Sequence, residues 1–112
     1  MEKALQIGIL LDFYKQLLTE KQVECIDLYY NQDLSLYEIS QHLDISRQGV
    51  RDNIKRGEKQ LLMYEELLGL SKKYDELERY CEKIDDKLAG LRERDAAQEI
   101  AAYTELIRKV IM

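Results

Sequence analysis

The sequence predicts an all-α fold: a helix-turn-helix domain preceded by one helix and followed by heptad-patterned helices. Three observations carry this prediction. The 112 residues include no proline and only five glycines, and the abundant Leu, Glu, Lys, Ile and Gln are mostly good helix formers. One helix-start pattern recurs at Thr19, Ser35 and Ser46. From Leu67 onward, apolar residues recur at alternating spacings of three and four, the period of a heptad.

Residues 3–18 form the first helical segment, carrying Leu5, Ile7, Ile9, Leu10, Leu11, Phe13, Tyr14, Leu17 and Leu18. These cover more than one helix face, too many for packing on a single neighbour. The surplus predicts a second buried surface, either against the C-terminal helices or against another chain.

Three helix starts follow. Thr19 precedes Gln22 by three residues and is flanked by Leu18 and Val23; Ser35 stands in the same relation to Glu38, flanked by Leu34 and Ile39. Both are capping boxes, in which hydroxyl and reciprocal side chain satisfy free backbone N–H groups, and the flanking apolar pair staples the incoming chain. Ser46, between Ile45 and Val50, has the cap and the staple without the box. The caps delimit helices of about 20–30, 36–42 and 47–62. Only Leu43, Asp44 and Ile45 separate the middle helix from the last cap, so the chain must turn sharply there, as in a helix-turn-helix. The core faces agree: Val23, Ile26 and Tyr30; Leu36, Ile39 and Leu43; Val50, Ile54 and Leu61. Gly57 falls on the third stripe, where its missing side chain permits close approach, although a merely tolerated glycine fits as well.

Beyond this domain, assigned to residues 1–62, lies a helical extension over 63–112. Leu67, Leu70, Tyr74, Leu77, Cys81, Ile84 and Leu88 make its heptad stripe, which Leu91 continues. Two readings stand for it: a self-association seam, which would make a homodimer, or a surface folded back on the first helix. Gly69 before Ser71 leaves open whether the preceding helix runs through. Gly90 and Arg92–Asp95 break the pattern, and a last amphipathic helix carries Ile100, Tyr103, Ile107 and Val110 or Ile111.

Composition narrows the function. A net charge of −5 argues against coating nucleic acid by bulk electrostatics. Charge is segregated, however: between Ser46 and Leu62 stand Arg47, Arg51, Lys55, Arg56 and Lys59 against only Asp52 and Glu58. The N-terminus lacks a basic leader with a long apolar run, and no window approaches the roughly 18 apolar residues of a membrane span, so a cytoplasmic location is expected. Cys25 and Cys81 lack metal-ligand spacing and fit reduced, buried hydrophobes. His42, the single histidine, has no partner at metal or nucleophile spacing. Glu65–Glu66 and Asp85–Asp86 fall mostly on solvated heptad positions. With no phosphate loop, paired catalytic acids or nucleophile arrangement, neither an enzyme, a metal site nor a cofactor is expected. Of the eight tyrosines, Tyr14, Tyr30, Tyr64 and Tyr74 fit apolar stripes and read as core, whereas Tyr29 and Tyr37 have no clear place.

The third helix is the functional candidate. Its buried stripe at 50, 54 and 61 turns Arg47, Gln48, Arg51, Asp52 and Lys55 outward, in the half that enters the major groove in helix-turn-helix proteins. Arg and Gln carry the forked donors that suit guanine and adenine edges, and Lys and Arg neutralise phosphates. A solvated basic face that binds protein, or nothing, is the competing reading.

The segment from Leu18 through Leu62 resembles region 4 of bacterial sigma factors: a Leu-Thr-x-Lys-Gln opening, Ser35–Ser40, then Ile45-Ser46 before a basic helix. More specifically, Asp12-Phe13-Tyr14, Leu17-Leu18-Thr19 with Lys21-Gln22, Leu28-Tyr29-Tyr30, Ser35-Leu36 with Glu38-Ile39, and Ser46-Arg47-Gln48 with Asp52-Asn53-Ile54-Lys55-Arg56 resemble the YlxM family, small cytoplasmic proteins of Gram-positive bacteria. The match is specific over about residues 4–68 and looser beyond. The resemblance implies a sigma region-4-like helix-turn-helix fold and a gene beside that of the signal recognition particle GTPase. It thereby implies a regulatory part in that particle's pathway, acting on the GTPase or its RNA. It also adds Asn53 and Arg56 to the candidate nucleic-acid-binding residues Arg47, Gln48, Arg51, Lys55 and Lys59. Two functions follow: a regulatory module binding DNA or RNA, and a module docking the GTPase through apolar helices without nucleic acid.

Overall fold

The computed structural model describes residues 2–91 and 94–111, so Arg92 and Glu93 of the expected Arg92–Asp95 break lie outside the described residues, as do the side chains of Arg94, Asp95 and Ile111. The order is α1 (Lys3–Tyr14), a 3₁₀ turn (Lys15–Leu17), α2 (Glu20–Ile26), a π-helical turn (Asp27–Asn31), α3 (Leu36–Leu43), α4 (Arg47–Leu68), α5 (Leu70–Ala89) and α6 (Arg94–Ile111). The fold is all-α, with no strand among the described residues. The chain divides into two units, Met1–Ser71 and Lys72–Met112.

In the first unit all three predicted caps form. Thr19 Oγ1 accepts from Gln22 N at 3.2 Å while Thr19 N donates to Gln22 Oε1 at 3.0 Å. Ser35 and Glu38 make the same reciprocal pair at 3.1 Å, and Ser46 Oγ accepts from Gly49 N at 2.9 Å. Each such cap contributes about 1 kcal/mol. Between α3 and α4 the chain reverses at Asp44, which holds left-handed φ 55° and ψ 48° and donates its N–H to Ser40 O.

Three helix extents differ from expectation. The first helix ends at Tyr14 rather than near 18, tightening into the 3₁₀ turn. The second converts at Asp27 into the π turn, fixed by Asn31 Nδ2 donating to Asp27 Oδ1 at 2.8 Å. The third runs six residues past 62, to Leu68, and stops at Gly69, whose φ of 60° is a conformation that glycine adopts without penalty. The heptad stripe is therefore divided between two helices: Leu67 belongs to α4, and Leu70 to Leu88 to α5.

Two apolar clusters hold this unit. In one, Ile39 of α3 packs with Val50 and Ile54 of α4 and with Cys25 of α2. In the other, Ile7, Leu10, Leu11 and Tyr14 of α1 pack against Ile26 and Leu61. The surplus apolar surface of α1 thus meets the C-terminal half of α4, although Leu5 and Leu17 remain about half exposed. Gly57 is buried against α2, where a Cβ would collide with Ile26 Cδ1 and lie 3.5 Å from its Cγ1. Close approach, not tolerance, explains that glycine.

Polar contacts tie the two ends of the unit. Tyr14 donates to Glu65 Oε1 at 2.7 Å and accepts from Leu70 N at 3.0 Å, while the same Oε1 accepts from Ser71 N at 3.2 Å. One tyrosine–glutamate pair thereby satisfies free N–H groups at the start of α5. The Tyr30 hydroxyl donates to Glu58 Oε1, and Lys3 Nζ lies 3.3 Å from Glu58 Oε2. In the second unit α5 and α6 run antiparallel, held by Arg108, whose Nε and Nη1 lie 2.9 Å from Glu78 and Asp85.

Candidate nucleic-acid interface

The outer face of α4 follows from its inner one. Val50, Ile54, Gly57 and Leu61 are buried, so residues half a turn away project from the scaffold. Arg47, Gln48, Arg51, Lys55, Arg56 and Lys59 are all exposed. Their charges are also uncommitted: among the described residues none of these five cations lies within ion-pair distance of a carboxylate. Lys3 and Arg108, by contrast, are paired. The outer face of α4 thus carries these cations unpaired, with Asp52 exposed among them.

Not every predicted residue joins that face. Asn53 is half-buried and lies off it, its Nδ2 donating to Gly49 O at 2.8 Å. Its amide is spent within the helix. Gln48 is exposed but leans on Asp52, Nε2 to Oδ1 at 3.0 Å.

One residue was missed. Tyr37, at the start of α3, is 56% exposed, and the Arg47 guanidinium sits over its ring, 5.7 Å from the centroid. Together Ser35, Leu36, Tyr37, Arg47, Gln48 and Arg51 line a shallow cleft where the N-terminal ends of α3 and α4 meet. The available signal was that Tyr37 falls off the apolar stripe of its helix. Its neighbour across the turn could not be inferred from spacing.

Of the residues assigned to self-association, Cys81 and Leu88 are buried within the chain, Tyr74 is half-buried, and Leu67, Leu70, Leu77 and Ile84 are exposed. Both cysteines are free thiols and buried, and burial raises the Cys25 thiol above its usual value. His42 is exposed at the end of α3. Among the described residues no group of three or more His, Cys, Asp or Glu is placed to hold a metal. No helix among them is long and apolar enough to cross a membrane.

A short helix and a capped, outward-facing basic helix joined through a left-handed aspartate form a helix-turn-helix. The family model described as "Putative helix-turn-helix protein, YlxM / p13 like" matches residues 1–106. The chain belongs to that family. Its relatives include a UPF0122 protein of Thermoanaerobacter sp. (strain X514), 47% identical over 92% of this chain and 88% of the relative. UPF0122 protein YlxM of Bacillus subtilis (strain 168) is 42% identical over 98% of this chain and 97% of its own. Because the family match reaches residue 106, it includes α5 and most of α6 as well as the helix-turn-helix.

Proposed function

We propose that the chain is a regulatory nucleic-acid-binding protein that reads or grips its target through the outer face of α4. One observation supports this above the others: Arg47, Arg51, Lys55, Arg56 and Lys59 stand outward on a rigid, capped helix with no carboxylate partner among the described residues. Cations left unpaired on an acidic protein are available to phosphates, and each phosphate neutralised releases counterions. Arg47 and Gln48, at the helix start beside Tyr37, are the base-contacting candidates if the target is duplex DNA. An A-form RNA helix has a major groove too narrow for α4, so an RNA target would be held at phosphates or loops.

Within a cell we place this activity in the signal recognition particle pathway, acting on the particle's RNA or GTPase, as the family resemblance implies. A homodimer belongs to the same reading, since paired α4 helices would present two half-sites.

The test compares binding to signal recognition particle RNA, random duplex DNA and the isolated GTPase at two salt concentrations. Phosphate-mediated binding weakens steeply with salt, by a log–log slope of about −0.9 per contact on duplex DNA. Replacing Arg47, Arg51 and Lys55 together by Ala should abolish binding with helical content unchanged. Retained nucleic-acid binding by that variant overturns the assignment. Salt-insensitive binding to the GTPase alone would favour apolar docking instead.

A further inference from the structure

In the α5–α6 hairpin α6 packs largely through small side chains and Arg108, and several large apolar side chains of both helices stay exposed. Ala97, Ala101, Thr104 and Arg108, spaced four, three and four, turn toward α5. Thr104 is 2% exposed, and on α5 Cys81 and Leu88 are 3% and 8% exposed. The larger apolar residues lie one stripe away. Leu77 and Ile84, four before and three after Cys81, are 42% and 40% exposed; Ile100 and Ile107, four before and three after Thr104, are 41% and 45% exposed. Equal offsets on two antiparallel helices of the same hand fall on the same side of the pair. The four residues therefore form one continuous apolar face, which Tyr103 and Val110 widen at 67% and 87% exposure.

We propose that this face pairs with its equal on a second copy of the chain, α5 of one copy lying antiparallel to α6 of the other in a four-helix bundle. Two arguments select that occupant and orientation. The first is area. Six such side chains, roughly half exposed, offer on the order of 600 Å² of apolar surface, at the upper end of patches on monomers. With a polar rim this reaches the roughly 800 Å² per partner of a standard interface. The second is charge. Lys87 borders the face on α5 and Glu99 borders it on α6, both exposed and neither ion-paired among the described residues. Leu88 and Ala97 share one hollow of the hairpin, so Lys87 and Glu99 stand at nearly the same height. A two-fold axis along the hairpin sets Lys87 of one copy beside Glu99 of the other, twice.

This deepens the homodimer reading and does not depend on what α4 binds. Sedimentation equilibrium on the full chain should give a dimer mass at micromolar concentration. Ile107→Lys should give a monomer with unchanged helical circular dichroism. Because that variant also changes the hairpin's own surface, the rim supplies an independent readout. Lys87→Glu should weaken the dimer by about 5- to 10-fold, and adding Glu99→Lys should restore it. A monomeric wild-type chain, a folded Ile107→Lys variant that remains dimeric, or no restoration by the double reversal overturns the proposal. None of these outcomes bears on the affinity of the α4 face, which the salt titration measures separately.

Discussion

The guanidinium of Arg47 lies over the ring of Tyr37, 5.7 Å from its centre, across the turn of the helix-turn-helix. The contact joins the first residue of α4 to the second residue of α3, and holds a long, rotatable side chain beside Gln48 and Arg51. An exposed contact of this kind contributes about 0.5–1 kcal/mol. Tyr37→Leu should therefore weaken nucleic-acid binding by about 2- to 5-fold, with a stability loss of no more than about 1 kcal/mol. Titration of labelled duplex and RNA at fixed salt measures this, and an unchanged affinity would show that the ring does not position the arginine.

Gly57 offers a test of sign. On an exposed helix face, Gly→Ala stabilises by about 1 kcal/mol through propensity. At Gly57 the added methyl would meet Ile26, which is fully buried, and overpacking of that kind costs about 1–3 kcal/mol. Gly57→Ala should lower stability in thermal or denaturant unfolding. A rise would mean that α2 moves away from α4 at little cost.

The left-handed backbone at Asp44 makes a graded prediction. Asn and Gly accept φ near 55° with little penalty, whereas a β-branched residue pays about 1–2 kcal/mol. Asp44→Gly and Asp44→Asn should match or exceed the parent in chemical denaturation, and Asp44→Val should fall below it. Equal stability for all three would refute a fixed turn.

Tyr14 and Tyr30 predict an alkaline limit. Burial first, then the hydrogen bond to a carboxylate (Glu65 for Tyr14, Glu58 for Tyr30), raises both phenols above the ordinary value of 10.0. The folded chain therefore holds protons that the unfolded chain releases above that value. The associated stability is fully present below pH about 10 and is lost as pH rises from there through the raised folded values. Tyr14→Phe should flatten part of this decline. At neutral pH it should cost about 1–3 kcal/mol, because Leu70 N–H loses its acceptor. Denaturant melts between pH 7 and 11 would measure both effects.

The sequence alone determined the caps, the sharp turn, the inner stripe of α4 and hence its outer cationic face. These are local: a hydroxyl three residues before its N–H, or an apolar side chain every three to four residues, needs no distant partner to be recognised. The all-α class and the family were legible for the same reason. Tertiary structure alone decided the rest. Nothing local marks Tyr37 as the platform for Arg47. Gly69 could have ended a helix or lain inside one; it ends α4, and the hydroxyl of Tyr14, 56 positions from Leu70, accepts the N–H that begins α5. The heptad stripe likewise indicated apolar surface but not its use. Periodicity records which side chains avoid water, whereas the choice between burial inside one chain and exposure for a second depends on where the following helix lies.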